Sequence, residues 1–219
     1  MIELKDITKV YNPRKRNQYT ALNKVSLTVE DGEFLAITGE SGSGKSTLLH
    51  IIGLLDFPTL GEYALNGEIM GEEKDSALAR LRAKEIGFVK QDFALIENYS
   101  AIDNVMLPLY PIKAKNKKGK AMKAIKRLGI EKLADKQVSQ LSGGEKQRVA
   151  IARAIVTNPG IVLADEPTGS LDSKTGGEIF DILTELNYSG VTVIMVTHDK
   201  ALAQRCGRII TVKDGQIVR

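Results

Sequence analysis

Apolar residues recur along this chain in three rhythms. Ile2, Leu4 and Ile7, then Val25, Leu27 and Val29, are interleaved with polar residues as in half-buried strands, and Asp31-Gly32 supplies a tight turn after them. Phe34-Leu35-Ala36-Ile37-Thr38 is apolar without alternation, the pattern of a strand covered on both faces in a mostly parallel sheet. Residues 161–164 and 191–197 share that pattern, and between them Ile179, Ile182, Leu183 and Leu186 fall at i, i+3, i+4 and i+7, which predicts a helix. Strand, crossover helix and strand in that order predict an α/β fold with a mostly parallel sheet. Residues 100–158 carry several further helical patterns. No repeat of solenoid length and no low-complexity tract interrupts the chain, which therefore reads as one unit of 219 residues.

Composition narrows the class. A hydrophobic content of 42% is enough for a real core and argues against disorder. The longest stretch free of charge, residues 186–198, falls short of the roughly 20 residues a membrane-spanning helix needs. The acidic start, Met1-Ile2-Glu3-Leu4-Lys5-Asp6, lacks the basic and apolar regions of a signal peptide. Cys206 is the single cysteine and there are two histidines, so neither an internal disulfide nor a Cys/His zinc site is expected, and a reducing cytoplasm is the expected home. A net charge of +4 with 5% aromatic residues and no Trp argues against nucleic-acid binding as the main role. The excess is concentrated in residues 113–127, which hold eight basic residues and no acid. A solvated helix face and attraction to an anionic membrane surface both fit that segment.

Chemistry enters after the first buried strand. Gly39-Glu40-Ser41-Gly42-Ser43-Gly44-Lys45-Ser46-Thr47 fits G-x-x-x-x-G-K-[ST] and runs into a helix start at Leu48-Leu49-His50. Glycines let successive N–H groups converge on phosphate oxygens, and the helix N-terminus adds a favourable dipole. Lys45 would neutralise the β- and γ-phosphates, and the Ser46 hydroxyl would ligate Mg²⁺. Asp165-Glu166 ends another buried strand, where ligands bind in open α/β sheets. Alone it reads as a turn with solvated acids; beside a phosphate loop, Asp165 suits the Mg²⁺ shell and Glu166 a general base for water. His198 follows the third buried strand, as either an ordinary histidine or a donor to the γ-phosphate.

The most diagnostic stretch is Leu141-Ser142-Gly143-Gly144-Glu145-Lys146-Gln147-Arg148-Val149. Ser142 with Glu145 three residues on is a capping box opening a helix, and the two glycines expose N–H groups that make a second anion site. This segment, with the motifs above in the same order, resembles the nucleotide-binding domain of the ATP-binding cassette (ABC) transporters, whose signature is LSGGQ or LSGGE. The resemblance covers essentially the whole chain and implies an ABC-type P-loop ATPase. It also implies a small antiparallel β region (residues 1–33 and 60–90), an ATP-binding core (34–59 and 157–219) and a helical subdomain (92–156).

By the same resemblance, adenine stacks on Tyr11, with Tyr19 as the second choice. Gln91 touches Mg²⁺ and the membrane partner, the loop Ser170-Leu171-Asp172 communicates across a dimer, and His198 becomes the switch histidine. Two ATP molecules would be held in a head-to-tail homodimer, with the loop around Lys45 of one chain facing Ser142, Gly143, Gly144, Glu145 and Asp172 of the other. Residues 51–59, 86–89, 104–109 and 163–169 resemble the lipoprotein-release and macrolide-export group, which implies an integral membrane permease as partner and an inner-face location. Lys90 and Glu40 depart from that group, where an aromatic or apolar residue and a small residue or Pro are usual. An ATP-driven regulatory clamp that transports nothing is the alternative function. A soluble ATPase of translation or DNA repair is disfavoured, because such relatives carry two cassettes or a long coiled-coil insertion.

Overall fold

The computed structural model describes residues 1–71 and 74–218. β1 (Ile2–Tyr11) and β2 (Tyr19–Val29) form an antiparallel hairpin, extended by β4 (Leu60–Leu65) and β5 (Glu68–Ile69) into a four-stranded sheet of order β2-β1-β4-β5. The uneven spacing of Ile2, Leu4 and Ile7 has a local cause. The β1/β2 register shifts between Leu4 and Ile7, with Asp6 at φ 50, so one extra residue restores Ile7 to the buried face.

The second sheet is built from the unbroken apolar runs. β3 (Phe34–Thr38), β6 (Ile86–Lys90), β7 (Ile161–Asp165), β8 (Thr192–Val196), β9 (Arg208–Lys213) and β10 (Gln216–Val218) lie in the order β10-β9-β3-β8-β7-β6. All neighbours are parallel except β10 on β9. Residues 60–90 do not form one antiparallel region: 60–69 do, but α2 (Asp75–Glu85) is helical and β6 joins the parallel sheet beside β7. Ile86, Gly87 and Val89 are buried, and covering such a strand requires the interior of the larger sheet assembly.

Register places the site. Lys90 pairs with Asp165, Asp165 with Val196, and Ile37 with Val196, so four strands end in one row. α1 (Lys45–Ile52) follows β3 and packs into the core between the two sheets, where Leu48, Leu49, Ile51 and Ile52 are fully buried. The other face of the parallel sheet is covered by α5 (Gly143–Ile155) and α6 (Ser173–Tyr188), joined by α3 (Ala101–Met106) and α4 (Lys117–Arg127) in one helical core. A short α7 (Lys200–Ala203) precedes β9. On α4, Ala121, Ala124 and Ile125 are buried while Lys120, Lys123, Lys126 and Arg127 are exposed. None of the eight basic residues of the 113–127 segment forms an ion pair among the described residues. No described helix is long and apolar enough to cross a membrane.

Candidate functional site

An open cleft of ≈ 790 Å³ lies at the aligned strand ends. The loop after β3 brings Gly39, Ser41, Gly42, Lys45 and Ser46 to it; the end of β7 brings Asp165 and Glu166, the end of β8 His198, and the end of β6 Gln91. Residues that are distant in sequence thus share one wall because parallel strands in register end together.

The phosphate loop is shaped by its glycines. Gly44, at φ 109, is the residue before α1 and offers no side-chain cap, so the first-turn N–H groups stay available. A Cβ there would lie 2.5 Å from the Ala21 carbonyl oxygen, which excludes any larger residue. Ser43 Oγ is buried with no hydrogen-bond partner among the described residues. The Lys45 ammonium donates to the carbonyl oxygens of Gly39 (2.9 Å) and Glu40 (2.6 Å), so the loop holds its own cation where an anion would otherwise be needed.

Opposite the loop, Glu166 and His198 form a pair, with Oε2 to Nδ1 at 2.8 Å; Glu166 is 18% exposed and His198 72%. With Nδ1–H donating to the carboxylate, Nε2 of a neutral imidazole is an acceptor and becomes a donor only when protonated. Glu166 occupies the left-handed region at φ 48, a strained setting held by its N–H to Val196 O (3.0 Å) and its carbonyl to Gly169 N–H (3.0 Å). Burial raises the carboxyl pKa of Asp165, and nearby Glu166 adds to this, while His50, Lys90 and Lys45 pull the other way.

No group of three or more His, Cys, Asp or Glu among the described residues can hold a metal. The three residues expected to hold Mg²⁺, Asp165, Ser46 and Gln91, all line the cleft, beside the further carboxylates of Glu166 and Asp92 and the hydroxyls of Ser41 and Ser170. Carboxylate, hydroxyl and amide oxygens suit a hard, hydrated cation.

The remaining predicted residues lie elsewhere. Tyr11 does not line the cleft; its hydroxyl donates to Asp56 Oδ2 (2.7 Å) and its ring stacks on Tyr19, with centroids 5.2 Å apart. Glu40 borders a neighbouring groove that also touches His198 and Lys200. Ser142 and Glu145 form the capping box: the Ser142 N–H and hydroxyl both donate to Glu145 Oε2 at 2.8 Å, which holds the carboxyl below its usual range. Asp172 caps α6, accepting from the N–H groups of Lys174 and Thr175, both at 3.1 Å, and from the Thr175 hydroxyl at 2.6 Å. Gly143 and Gly144 lie on the α5 end that faces α6, where a Cβ on Gly144 would meet Thr175 Cγ2 at 2.6 Å.

Two supporting residues escaped the sequence reading. Gln147, fully buried on α5, donates to Pro167 O (2.6 Å) and Lys90 O (3.4 Å), joining the backbone beside Glu166 to the backbone beside Gln91. Arg153 donates to the carbonyls of Phe93 (2.9 Å) and Ala94, both at positive φ, and so pins the loop after Gln91. The available signal was a polar residue on an apolar stripe: Gln147, Ala150, Ile151 and Ala154 recur at i, i+3, i+4 and i+7.

Comparison with known proteins gives the same picture. The chain is 47% identical over 219 residues to a macrolide export ATP-binding/permease protein of Chlorobaculum tepidum, spanning 100% of this chain but 34% of that one. It is 44% identical over 223 residues to a lipoprotein-releasing system ATP-binding protein of Rhodopseudomonas palustris, covering 99% of this chain and 98% of the relative. Among solved structures, a dimeric, post-hydrolysis ATP-binding cassette bound to ADP and phosphate matches with TM-score 0.91 and 44% identity over 100% of this chain and 97% of that one. The ABC transporter family pattern matches residues 22–169, and with this cleft and this likeness the chain belongs to the ABC transporter family, with the fold of its ATP-binding cassettes.

Proposed function

We propose that this chain is the ATP-hydrolysing subunit of a membrane transporter, which dimerises on MgATP and drives an integral membrane permease to export or extract a substrate. It works in the cytoplasm, held at the inner face of the membrane through that permease. The observation that carries this reading is a separation. The phosphate loop, Asp165, Glu166, His198 and Gln91 line one cleft, whereas the second anion-binding helix end at Ser142, Gly143 and Gly144 does not line it. A site that needs both must be completed by a second chain, with Glu145 and Asp172 beside the incoming helix end.

In that site Lys45 exchanges its hydrogen bonds to the neutral carbonyls of Gly39 and Glu40 for bonds to the charged β- and γ-phosphate oxygens, in which donor and acceptor are both ionised. Gly39, Ser41, Gly42, Ser43, Gly44 and Thr47 surround the phosphates with the loop, and Tyr11 faces the base. Ser46, Asp165 and Gln91 would hold Mg²⁺, which when bound neutralises phosphate oxygens. Water attacks the γ-phosphorus in line, its proton passes to the Glu166 carboxylate, and the bond to the β-phosphate oxygen breaks. His198 fixes that carboxylate through Nδ1.

Glu166→Gln tests the reading, because the amide keeps the shape and the His198 contact but takes no proton. Turnover should fall about 10²- to 10⁴-fold while MgATP drives the variant into a stable dimer on size exclusion. Near-wild-type turnover, or a monomer with MgATP bound, would overturn it.

A further inference from the structure

Asp56 lies in the turn after α1, outside the cleft and within the 51–59 segment to which no site role was given, yet three groups converge on its carboxylate. Oδ2 accepts from the Tyr11 hydroxyl at 2.7 Å, Oδ1 accepts from the Phe57 N–H at 2.8 Å, and the Lys9 ammonium pairs with Oδ1. Lys9 also donates to Phe57 O (2.7 Å) and stands 4.9 Å from the Tyr11 ring centroid. The pair is well sheltered, with the Lys9 side chain 14% exposed and that of Asp56 28%. A second stitch runs parallel to the first: Val10 N–H donates to Thr59 Oγ1 (3.0 Å) and Thr59 N–H to Thr8 O (2.7 Å).

These bonds join two distant pieces of chain. Tyr11 closes β1, where it pairs in register with Tyr19 and stacks on it at an interplanar angle of 29°. Asp56 follows α1, whose first residues are Lys45, Ser46 and Thr47. A helix of 8 residues, about 12 Å long, thereby fixes the aromatic pair relative to the phosphate loop.

We propose that Asp56 is a positioning residue for nucleotide recognition: by holding the Tyr11 hydroxyl while Lys9 neutralises it, it sets the distance and tilt of the aromatic face that receives the base, relative to the phosphates bound at Lys45. The inference rests on the reading of this cleft as an ATP site with Tyr11 at the base. A ring fixed before binding loses less side-chain freedom when the base arrives. Asp56 acts on the base half of the ligand alone.

The test compares MgADP with magnesium pyrophosphate by calorimetry, since pyrophosphate has the phosphates without the base and neither ligand is turned over. Asp56→Ala and Tyr11→Phe should each weaken MgADP about tenfold and leave pyrophosphate within about twofold, the scale of one side chain's lost preorganisation. The double variant should be no weaker than either single one, because both remove the same bond. Asp56→Asn should restore most of the affinity, since its amide oxygen still accepts from the phenol. A loss in Tyr11→Ala with none in Asp56→Ala and Tyr11→Phe overturns the positioning role and leaves the base platform standing. Equal losses for pyrophosphate also overturn it, as they would show damage to α1 and the phosphate loop. Unchanged MgADP affinity in Tyr11→Ala removes the base platform, and the inference falls with it. Tyr11→Phe decides the matter if Asp56→Ala does not fold.

Discussion

Gln147 offers a substitution series in which stability and turnover should separate. Its amide donates to the Pro167 and Lys90 carbonyls, while its own Oε1 is buried without a hydrogen-bond partner among the described residues. Gln147→Ala withdraws the donor from a buried carbonyl, at about 1–3 kcal/mol, and opens a cavity costing about 1 kcal/mol more. At roughly 2–4 °C per kcal/mol for a chain of this size, the melting temperature should drop by about 4–16 °C. Gln147→Leu loses the same donor but fills the space and removes the unpaired oxygen, whose own burial carries a penalty of about 1–3 kcal/mol. Its melting temperature should therefore stay within about 4 °C of the wild type. Both variants cut the tether between the backbone of Glu166 and that of Gln91, so both should lose ATP turnover by about 10- to 100-fold, the scale for sub-ångström misplacement of reacting groups. Thermal melts monitored by circular dichroism and a steady-state phosphate-release assay read the two quantities. Wild-type turnover in a folded Gln147→Leu protein would refute the tether, and equal destabilisation by Leu and Ala would refute the assignment of Oε1 as a penalty.

Two predictions concern the second helix end. Gly144→Ala should destabilise the chain, because the new Cβ meets Thr175 Cγ2 at 2.6 Å, and Thr175→Ser, which removes that methyl, should rescue it; denaturant midpoints of the two singles and the double check this, and failure of rescue would remove Thr175 as the cause. Glu145 is held below its usual carboxyl pKa by the Ser142 N–H and hydroxyl, so its contribution is present in full above the unfolded carboxyl value of about 4.3 and is lost as pH falls through the lower folded value. The stability gap between wild type and Glu145→Gln, followed by urea melts, should shrink as pH is lowered from 7 to 3, and a constant gap would discard the cap as its origin.

Much of the site could be read from neighbouring residues. The phosphate loop is contiguous, so the spacing of Gly39, Gly44, Lys45 and Ser46 carries its geometry, and the capping box needs only Ser142 and Glu145 at i and i+3. The assignment of 60–90 to the antiparallel region failed for the complementary reason. Nothing in Ile86-Gly87-Phe88-Val89-Lys90 states which sheet it joins, and the choice is made by its pairing with β7 and by α5, which packs so closely that a Cβ on Gly87 would meet the Ala154 carbonyl oxygen at 2.4 Å.

Sequence by itself determined the local elements, the phosphate loop, the capped helix end at Ser142 and, through the order of its motifs, the family of this protein, because each motif depends on residues a few positions apart. Tertiary structure alone decided the contact of Glu166 with His198, the tie of Asp56 to Lys9 and Tyr11, and the burial of Gln147 against Lys90 and Pro167. Each of these joins separate elements across the fold. Their geometry follows from strand register and helix packing, which arise from the summed burial of the whole core and leave no periodic mark on the residues that meet.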